Sequence, residues 1–370
     1  MKPTIVLTLA FAAFPAVAET DPAPLEACIV RAVQEGATTR TAQEIRTDCI
    51  RALEAARDDG PMAACIAREV QQGAPGRSAA EIREFCSTTV DASSPGRARP
   101  SAVEVRGMAE VAVEGRPFIL TAYQPSYFMA TYNDSFDANN TLFAELDSDF
   151  LDFQKEEIKY QVSAKAMIAR NLFGSEVSLF AAYTQTAWWQ LFADQGITSA
   201  PFRDINHEPE LFLRRRGGPA LPFGGRIVNT DLALVHESNG RSEFLSRSWN
   251  RVMGRFTADY GDLAFIGRLW YRLPEDEEDD GNPDIEDFLG YGDLRAIWAP
   301  NRHTFALMVR PGKEEFGSEL TWSYPVTKTL RVYAQWWYGH GENLLDYDQE
   351  VNRFGIGVVL NDFLMRDGPQ

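Results

Sequence analysis

Beyond residue 18 the chain has no apolar run approaching the roughly 20 residues that a membrane-crossing helix needs, which excludes a helical membrane protein. It is also short of positive charge, with 36 Lys and Arg against 53 Asp and Glu and a formal net charge of −17. Nucleic acid is therefore not expected as a partner, because binding it needs a basic face that neutralises phosphates. Cysteine is confined to four residues before residue 90, and no histidine lies among them. Their spacing of 21 within each pair fits no usual zinc pattern, so no metal site is expected there. What remains is a chain of 370 residues, 45% hydrophobic, long enough for two or more domains. Such an average still admits a membrane β-barrel, whose alternation of apolar and polar residues gives a soluble-looking composition.

The first 18 residues read as a secretory signal. Lys2 supplies the positive start, Ile5 to Phe14 the apolar stretch and Ala16-Val17-Ala18 the cleavage site, so the mature chain is expected to begin at Glu19. Secretion makes disulfides permissible. Residues 19–90 then hold a repeat: Ala27-Cys28-Ile29, Gly36-Ala37, Glu44-Ile45-Arg46 and Cys49 recur as Ala64-Cys65-Ile66, Gly73-Ala74, Glu81-Ile82-Arg83 and Cys86. Each copy, about 27–49 and 64–86, has two helical patterns around Gly-Ala, which predicts a small α-helical domain of two hairpins. Bridges Cys28 to Cys49 and Cys65 to Cys86 would staple the hairpins, although four cysteines allow three connectivities. Residues 91–107, with Ser93-Ser94-Pro95-Gly96, read as a linker.

From 108 to 370 the period changes to two. Lys159, Gln161, Ser163 and Lys165 interleave with Tyr160, Val162, Ala164 and Ala166, and Glu319, Thr321 and Ser323 with Leu320, Trp322 and Tyr324. Aromatic residues crowd the strand ends, as in Trp188-Trp189, Trp270-Tyr271, Trp298 and Trp336-Trp337-Tyr338, where girdles flank the lipid belt of a barrel. The stretch predicts an all-β transmembrane barrel of 12 antiparallel strands, with charged and small residues turned to the lumen.

One hairpin carries chemistry. In Leu232-Ala233-Leu234-Val235-His236-Glu237-Ser238, strand parity puts His236 and Ser238 on the same outward face as Leu232 and Leu234. If Ser238 pairs with Ser248, His236 stands opposite Asn250, close enough for imidazole, hydroxyl and amide to meet. In that arrangement Ser238 is the nucleophile, His236 the general base and Asn250 the residue that fixes the imidazole tautomer. The Gly240 amide is placed to donate to an oxyanion. Polar groups on a lipid-directed face are costly, and their default reading is functional. Arg247, Arg251 and Arg255 take the lumen side, where acidic residues such as Glu237 can pair with them.

His236-Glu237-Ser238-Asn239-Gly240-Arg241-Ser242, Ser246-Arg247-Ser248-Trp249-Asn250-Arg251, Trp188-Trp189-Gln190, Glu208-Pro209-Glu210-Leu211-Phe212 and Asn282-Pro283-Asp284 together resemble the outer membrane phospholipase A family. The resemblance runs from about Tyr127 to Leu364. It implies a calcium-dependent phospholipase A1/A2 and lysophospholipase that cleaves acyl esters in the outer leaflet of the Gram-negative outer membrane and is active as a homodimer. It also implies Ca2+ ligands at the Arg241 carbonyl and Ser246 hydroxyl, completed by the Ser199 carbonyl of a second copy, and Gln185 at the dimer interface.

The chain departs from the family pattern at Glu243-Phe244-Leu245, where an Asp followed by a Pro-Thr pair is usual. The acidic stretch Glu275 to Asp280 reads first as a solvated charge run, and second as the source of a replacement carboxylate for calcium. The helical repeats are not part of the pattern, and their periplasmic partner is not readable from the sequence. A second reading, of a different class, is a catalytically silent barrel that serves as pore or anchor and displays the repeat domain; it needs a wide lumen.

Overall fold

The computed structural model describes residues 65–66, 85–86, 101–114, 119–136, 153–172, 175–192, 202–276, 280–327 and 329–364. The chain divides into two compact units, Met1–Asp91 and Ala92–Gln370. In the first, Cys65 and Cys86 are buried, lie in helical segments and are bridged, with their Cα atoms 5.6 Å apart. That is the pairing expected within the second repeat. Residues 1–18, Cys28, Cys49 and the rest of both repeats lie outside the described residues.

The second unit is a closed antiparallel barrel of twelve staves. Strand β1 is interrupted, with pieces Thr121–Ala122 and Ser126–Asn133 both paired to β2, Glu156–Ala169. Then follow β3 (Val177–Trp189), β4 (Phe202–Arg216), β5 (Arg226–Ser238), β6 (Ser248–Tyr260) and β7 (Leu263–Arg272). The last five are β8 (Gly292–Trp298), β9 (Thr304–Pro311), β10 (Phe316–Pro325), β11 (Arg331–Gly339) and β12 (Val351–Asn361). Each pairs with the next, and β12 closes on β1 with Phe354 opposite Tyr132. Closure leaves no sheet edge, the condition for a β structure to cross a bilayer.

Alternation decides which side each residue takes. Leu232, Leu234, Phe256, Leu269, Leu294, Phe354, Ile356 and Leu360 lie exposed on the outer wall, where hydrocarbon would cover them. The inner wall is polar and packed. Arg255 pairs with Glu210 at 2.8 Å and Asp231 at 3.2 Å, while Arg214 takes Asp231 at 2.8 Å. Nearer the mouth, Glu157 receives Arg203 and Arg353, each at 2.7 Å, and Glu342 receives Arg353 and Lys159, each at 2.8 Å. Charges buried this way persist only because each meets a partner. Two cavities lined by described inner-wall residues hold about 140 and 110 Å³. A silent pore would need a wide lumen, and buried ion pairs cross the described one.

Two sequence expectations are corrected. Residues 102–107 are not linker: Ser101 opens a capping box, accepting from the Glu104 amide at 3.1 Å while Glu104 accepts from the Ser101 amide at 2.7 Å. Helix α1, Ala102–Val113, follows and belongs to the barrel unit. Its Glu110 bonds Lys165 on the inner wall at 2.7 Å. The aromatic residues also do not all face lipid. Trp188, Trp270 and Trp337 are buried inside, whereas their neighbours Tyr271, Trp336 and Tyr338 lie exposed outside, because adjacent strand residues take opposite faces.

Candidate active site

Strands β5 and β6 pair with Ser238 opposite Ser248 and His236 opposite Asn250, the register expected from parity. Leu232, Leu234 and His236 are exposed outside while Asp231, Ala233 and Val235 are buried inside. Asn250 shares the outer face. The imidazole Nδ1 of His236 and the Oδ1 of Asn250 lie 2.9 Å apart. Since a carboxamide oxygen only accepts, Nδ1 carries a hydrogen, and in the neutral ring the lone pair is on Nε2. The hydrogen bonds of the described residues include none from the Ser238 hydroxyl. Such contacts in a free enzyme are often long and tighten when substrate binds.

The inner side of the same two strands holds the outer groups in place. Glu237 accepts from Trp249 Nε1 at 3.0 Å and from Arg251 at 2.7 Å, and Arg251 also reaches Glu208 at 2.8 Å. The Arg251 guanidinium lies 4.0 Å from the Trp249 ring centre. Arg255 is paired as well, so two of the three predicted inward arginines face acids. Arg247 differs: it stays in the loop, donating to the carbonyls of Phe244 at 2.7 Å and Ser246 at 2.9 Å, because strand β6 begins only at Ser248.

The loop 239–247 is closed by Asn239. Its Oδ1 accepts from the amides of Arg241 at 3.3 Å and Arg247 at 3.0 Å, and its Nδ2 donates to the Leu245 carbonyl at 2.9 Å. Gly240, next in line, has a φ of +64°, a left-handed conformation that glycine adopts without a Cβ penalty. Its amide lies two residues beyond Ser238, where the strand ends. The Arg241 guanidinium donates to the carbonyls of Phe202 at 2.8 Å and Arg203 at 2.7 Å, tying the loop to β4. Gly281 packs so tightly on this loop that a Cβ there would lie 2.4 Å from the Ser246 carbonyl oxygen.

Oxygen donors from Arg241 and Ser246 suit a hard cation. Among the described residues no group of three or more His, Cys, Asp or Glu side chains converges as a metal site. Ser199 lies outside the described residues.

Gln185 faces outward on β3. Its Oε1 accepts from the Tyr183 hydroxyl at 3.2 Å and its Nε2 donates to the Tyr160 hydroxyl at 3.4 Å. The expectation for Gln185 was an amide facing a second copy; within one chain it already joins a polar cluster. Tyr183 also bonds His207 Nδ1 at 2.7 Å. His207 stands opposite Ser238 across β4 and β5, and a methyl on Gly240 would lie 3.6 Å from its ring. Sequence reading passed over His207, although its outward parity on β4 was available. The acidic stretch read as a solvated run contributes Glu275, whose Oε1 accepts from Asn250 Nδ2 at 3.0 Å. The acidic stretch is thus not a free charge run at its described ends: Asp280 is bonded to Arg272 at 2.6 Å.

A family model described as phospholipase A1 matches residues 104–360. A putative phospholipase A1 of Neisseria meningitidis is 37% identical over 213 residues, 56% of this chain and 56% of that protein, so the chain spans little more than half of that relative. The phospholipase A1 of Escherichia coli K12 is 35% identical over 254 residues, 66% of this chain and 83% of that one. Among solved structures, outer membrane phospholipase A from Escherichia coli aligns with a TM-score of 0.61 and 32% identity over 67% of this chain and 100% of its own. The Salmonella typhi outer membrane phospholipase dimer with bound calcium aligns at 0.60, with 34% identity over 66% of this chain and 93% of that one. An outward hairpin of this geometry on a barrel of this architecture, and these matches over most of the second unit, lead to one conclusion: the chain belongs to the phospholipase A1 family of outer membrane phospholipases.

Proposed function

We propose that the protein hydrolyses acyl esters of phospholipids in the outer leaflet of the outer membrane, with Ser238 as nucleophile, His236 as general base and Asn250 as orienting residue. One observation carries this reading: an imidazole and an amide, 2.9 Å apart, share the lipid-directed face with a serine two residues along the strand. The shorter turns of such barrels face the periplasm and the longer loops face outward. The hairpin tip at 239–247 and the long connections at 273–291 and 340–350 share one end of the barrel, opposite the tight turn at Asp262. A phospholipid in the outer leaflet would bring its ester bonds to this level.

His236 Nε2 takes the proton of the Ser238 hydroxyl as the oxygen attacks the ester carbonyl, then delivers it to the departing lysophospholipid oxygen. Asn250 holds Nδ1–H throughout, so the base is always presented on the serine side. The Gly240 amide donates to the oxyanion. Water repeats the sequence on the acyl-serine and releases the fatty acid.

Calcium is part of the proposal. The Arg241 carbonyl and Ser246 hydroxyl would hold it, with the Ser199 carbonyl of a second copy, and bound there it would supply positive charge beside the developing oxyanion. A ligand set divided between two copies makes activity depend on dimerisation, with Gln185 at the contact. The calcium-bound dimer of the Salmonella typhi relative supports both points. Ahead of the barrel, the repeat over 19–90 is read as a periplasmic pair of helical hairpins following the signal at 1–18, with Cys28 paired to Cys49 as Cys65 is to Cys86.

The test is fatty acid release from mixed micelles of a phospholipid with two distinguishable acyl chains, with calcium or with chelator. Release from both positions, loss with chelator and loss in Ser238→Ala are expected. Full activity in Ser238→Ala would end the mechanism, and full activity in chelator would end the calcium part.

A further inference from the structure

We propose that Glu275 is a positioning residue for the hydrolytic reaction: it fixes the Asn250 amide, and through it the tautomer of His236. The proposal rests on the reading of Ser238, His236 and Asn250 given above. An asparagine side chain is ambiguous, because rotating it by half a turn exchanges an acceptor for a donor. Turned the wrong way, Asn250 would present Nδ2–H to His236. The imidazole would then protonate on Nε2, and its lone pair would point away from Ser238.

Glu275 removes the ambiguity. An ionised carboxylate only accepts, and its Oε1 lies 3.0 Å from Asn250 Nδ2. The amide nitrogen is therefore committed to Glu275 and the amide oxygen to His236 Nδ1 at 2.9 Å. The loop is brought there by the backbone: the Leu273 amide donates to the Asn250 carbonyl at 2.8 Å, two residues before Glu275. Strand β7 ends at Arg272, so Glu275 approaches Asn250 from the aqueous end of the hairpin.

The placement also settles an electrostatic conflict. An imidazolium forms when His236 takes the serine proton, and a nearby negative charge stabilises it. A carboxylate set directly against the imidazole on the lipid face would be costly to ionise there. With Glu275 one amide further out, the charge stays at the loop while the hydrogen-bonded chain transmits its polarisation.

The test is a set of variants assayed in detergent with calcium, with turnover taken per folded barrel as judged by circular dichroism and heat-dependent gel mobility. Glu275→Ala lowers kcat by about tenfold to a hundredfold, the loss of a charged hydrogen bond, and leaves KM within about twofold. Glu275→Gln falls between it and the parent protein, since a glutamine can offer either oxygen or nitrogen. Asn250→Asp alone sets two acceptors face to face and loses activity. Combined with Glu275→Gln it regains part of that loss, because the glutamine then donates. Parental kcat in Glu275→Ala and Glu275→Gln, with Ser238→Ala inactive, would overturn the role of Glu275 and leave the nucleophile standing. Strictly additive losses in the double variant would overturn it too. Activity in Ser238→Ala would remove the parent mechanism and this proposal together.

Discussion

The guanidinium of Arg251 stacks 4.0 Å from the ring centre of Trp249, on the inner side of the wall whose outer side carries His236 and Asn250. Arg251 also holds Glu208 and Glu237. Replacing it by alanine leaves two carboxylates in the lumen with no cation between them, a change that costs about 3 kcal/mol or more. We expect Arg251→Ala to lower the urea midpoint in detergent, and Arg251→Ala with Glu237→Gln to recover part of the loss. Unfolding followed by tryptophan fluorescence checks it; an unchanged midpoint would show that the charge lattice behind the hairpin is not stabilising it.

Acid should weaken the ion pairs that Glu342 makes with Lys159 and Arg353. Burial opposes ionisation of Glu342, but Arg353 and Lys159 outweigh it and hold the carboxyl at about 2. The unfolded value is about 4.3, so this group favours the folded state fully above that pH, and its contribution disappears as pH falls from there through 2. Between pH 5 and pH 2 the parent protein should lose stability more steeply than Glu342→Gln. Parallel curves would contradict the assignment.

Gly281 lies against the loop that carries Ser246. A side chain there must displace the Ser246 carbonyl, because its Cβ would sit 2.4 Å away. If Ser246 holds calcium as proposed, Gly281→Ala should raise the calcium needed for half-maximal activity by about tenfold, the scale typical of shifts outside a ligand shell. Titration of activity against free calcium measures this, with heat-dependent mobility as the control for folding.

The lumen should not conduct as a wide pore. In planar bilayers the intact protein is expected to show no large steady conductance. Arg106→Ala with Glu110→Ala, which removes two of the side chains that tie α1 to the barrel, should allow intermittent openings. Porin-sized conductance in the intact protein would revive the reading of a silent channel.

The barrel and its outward hairpin were legible because a period of two is a one-dimensional signal: parity alone turned His236 and Asn250 to one side and Arg251 to the other, and the pairing of Ser238 with Ser248 followed. What the sequence hid depends on contacts across it. Glu275 looked like one acid among several, and only the Leu273 amide meeting the Asn250 carbonyl selects it. Trp188, Trp270 and Trp337 read as girdle residues because composition marks the strand end and not the face. Helix α1 was missed because its length straddles a composition change, and its partners Lys165 and Asp259 lie far along the chain.

The side chain of Arg106 donates to four carbonyls, those of Ala122 and Tyr123 at the opening of the first stave and of Asp362 and Phe363 after the last. These acceptors come together only when the ring is complete. In an open or slipped intermediate the cation would face some of them and miss the rest, so the seam acts as its own proofreader: the chain's two extremes must arrive in the correct frame before a single fork of nitrogen can grip both.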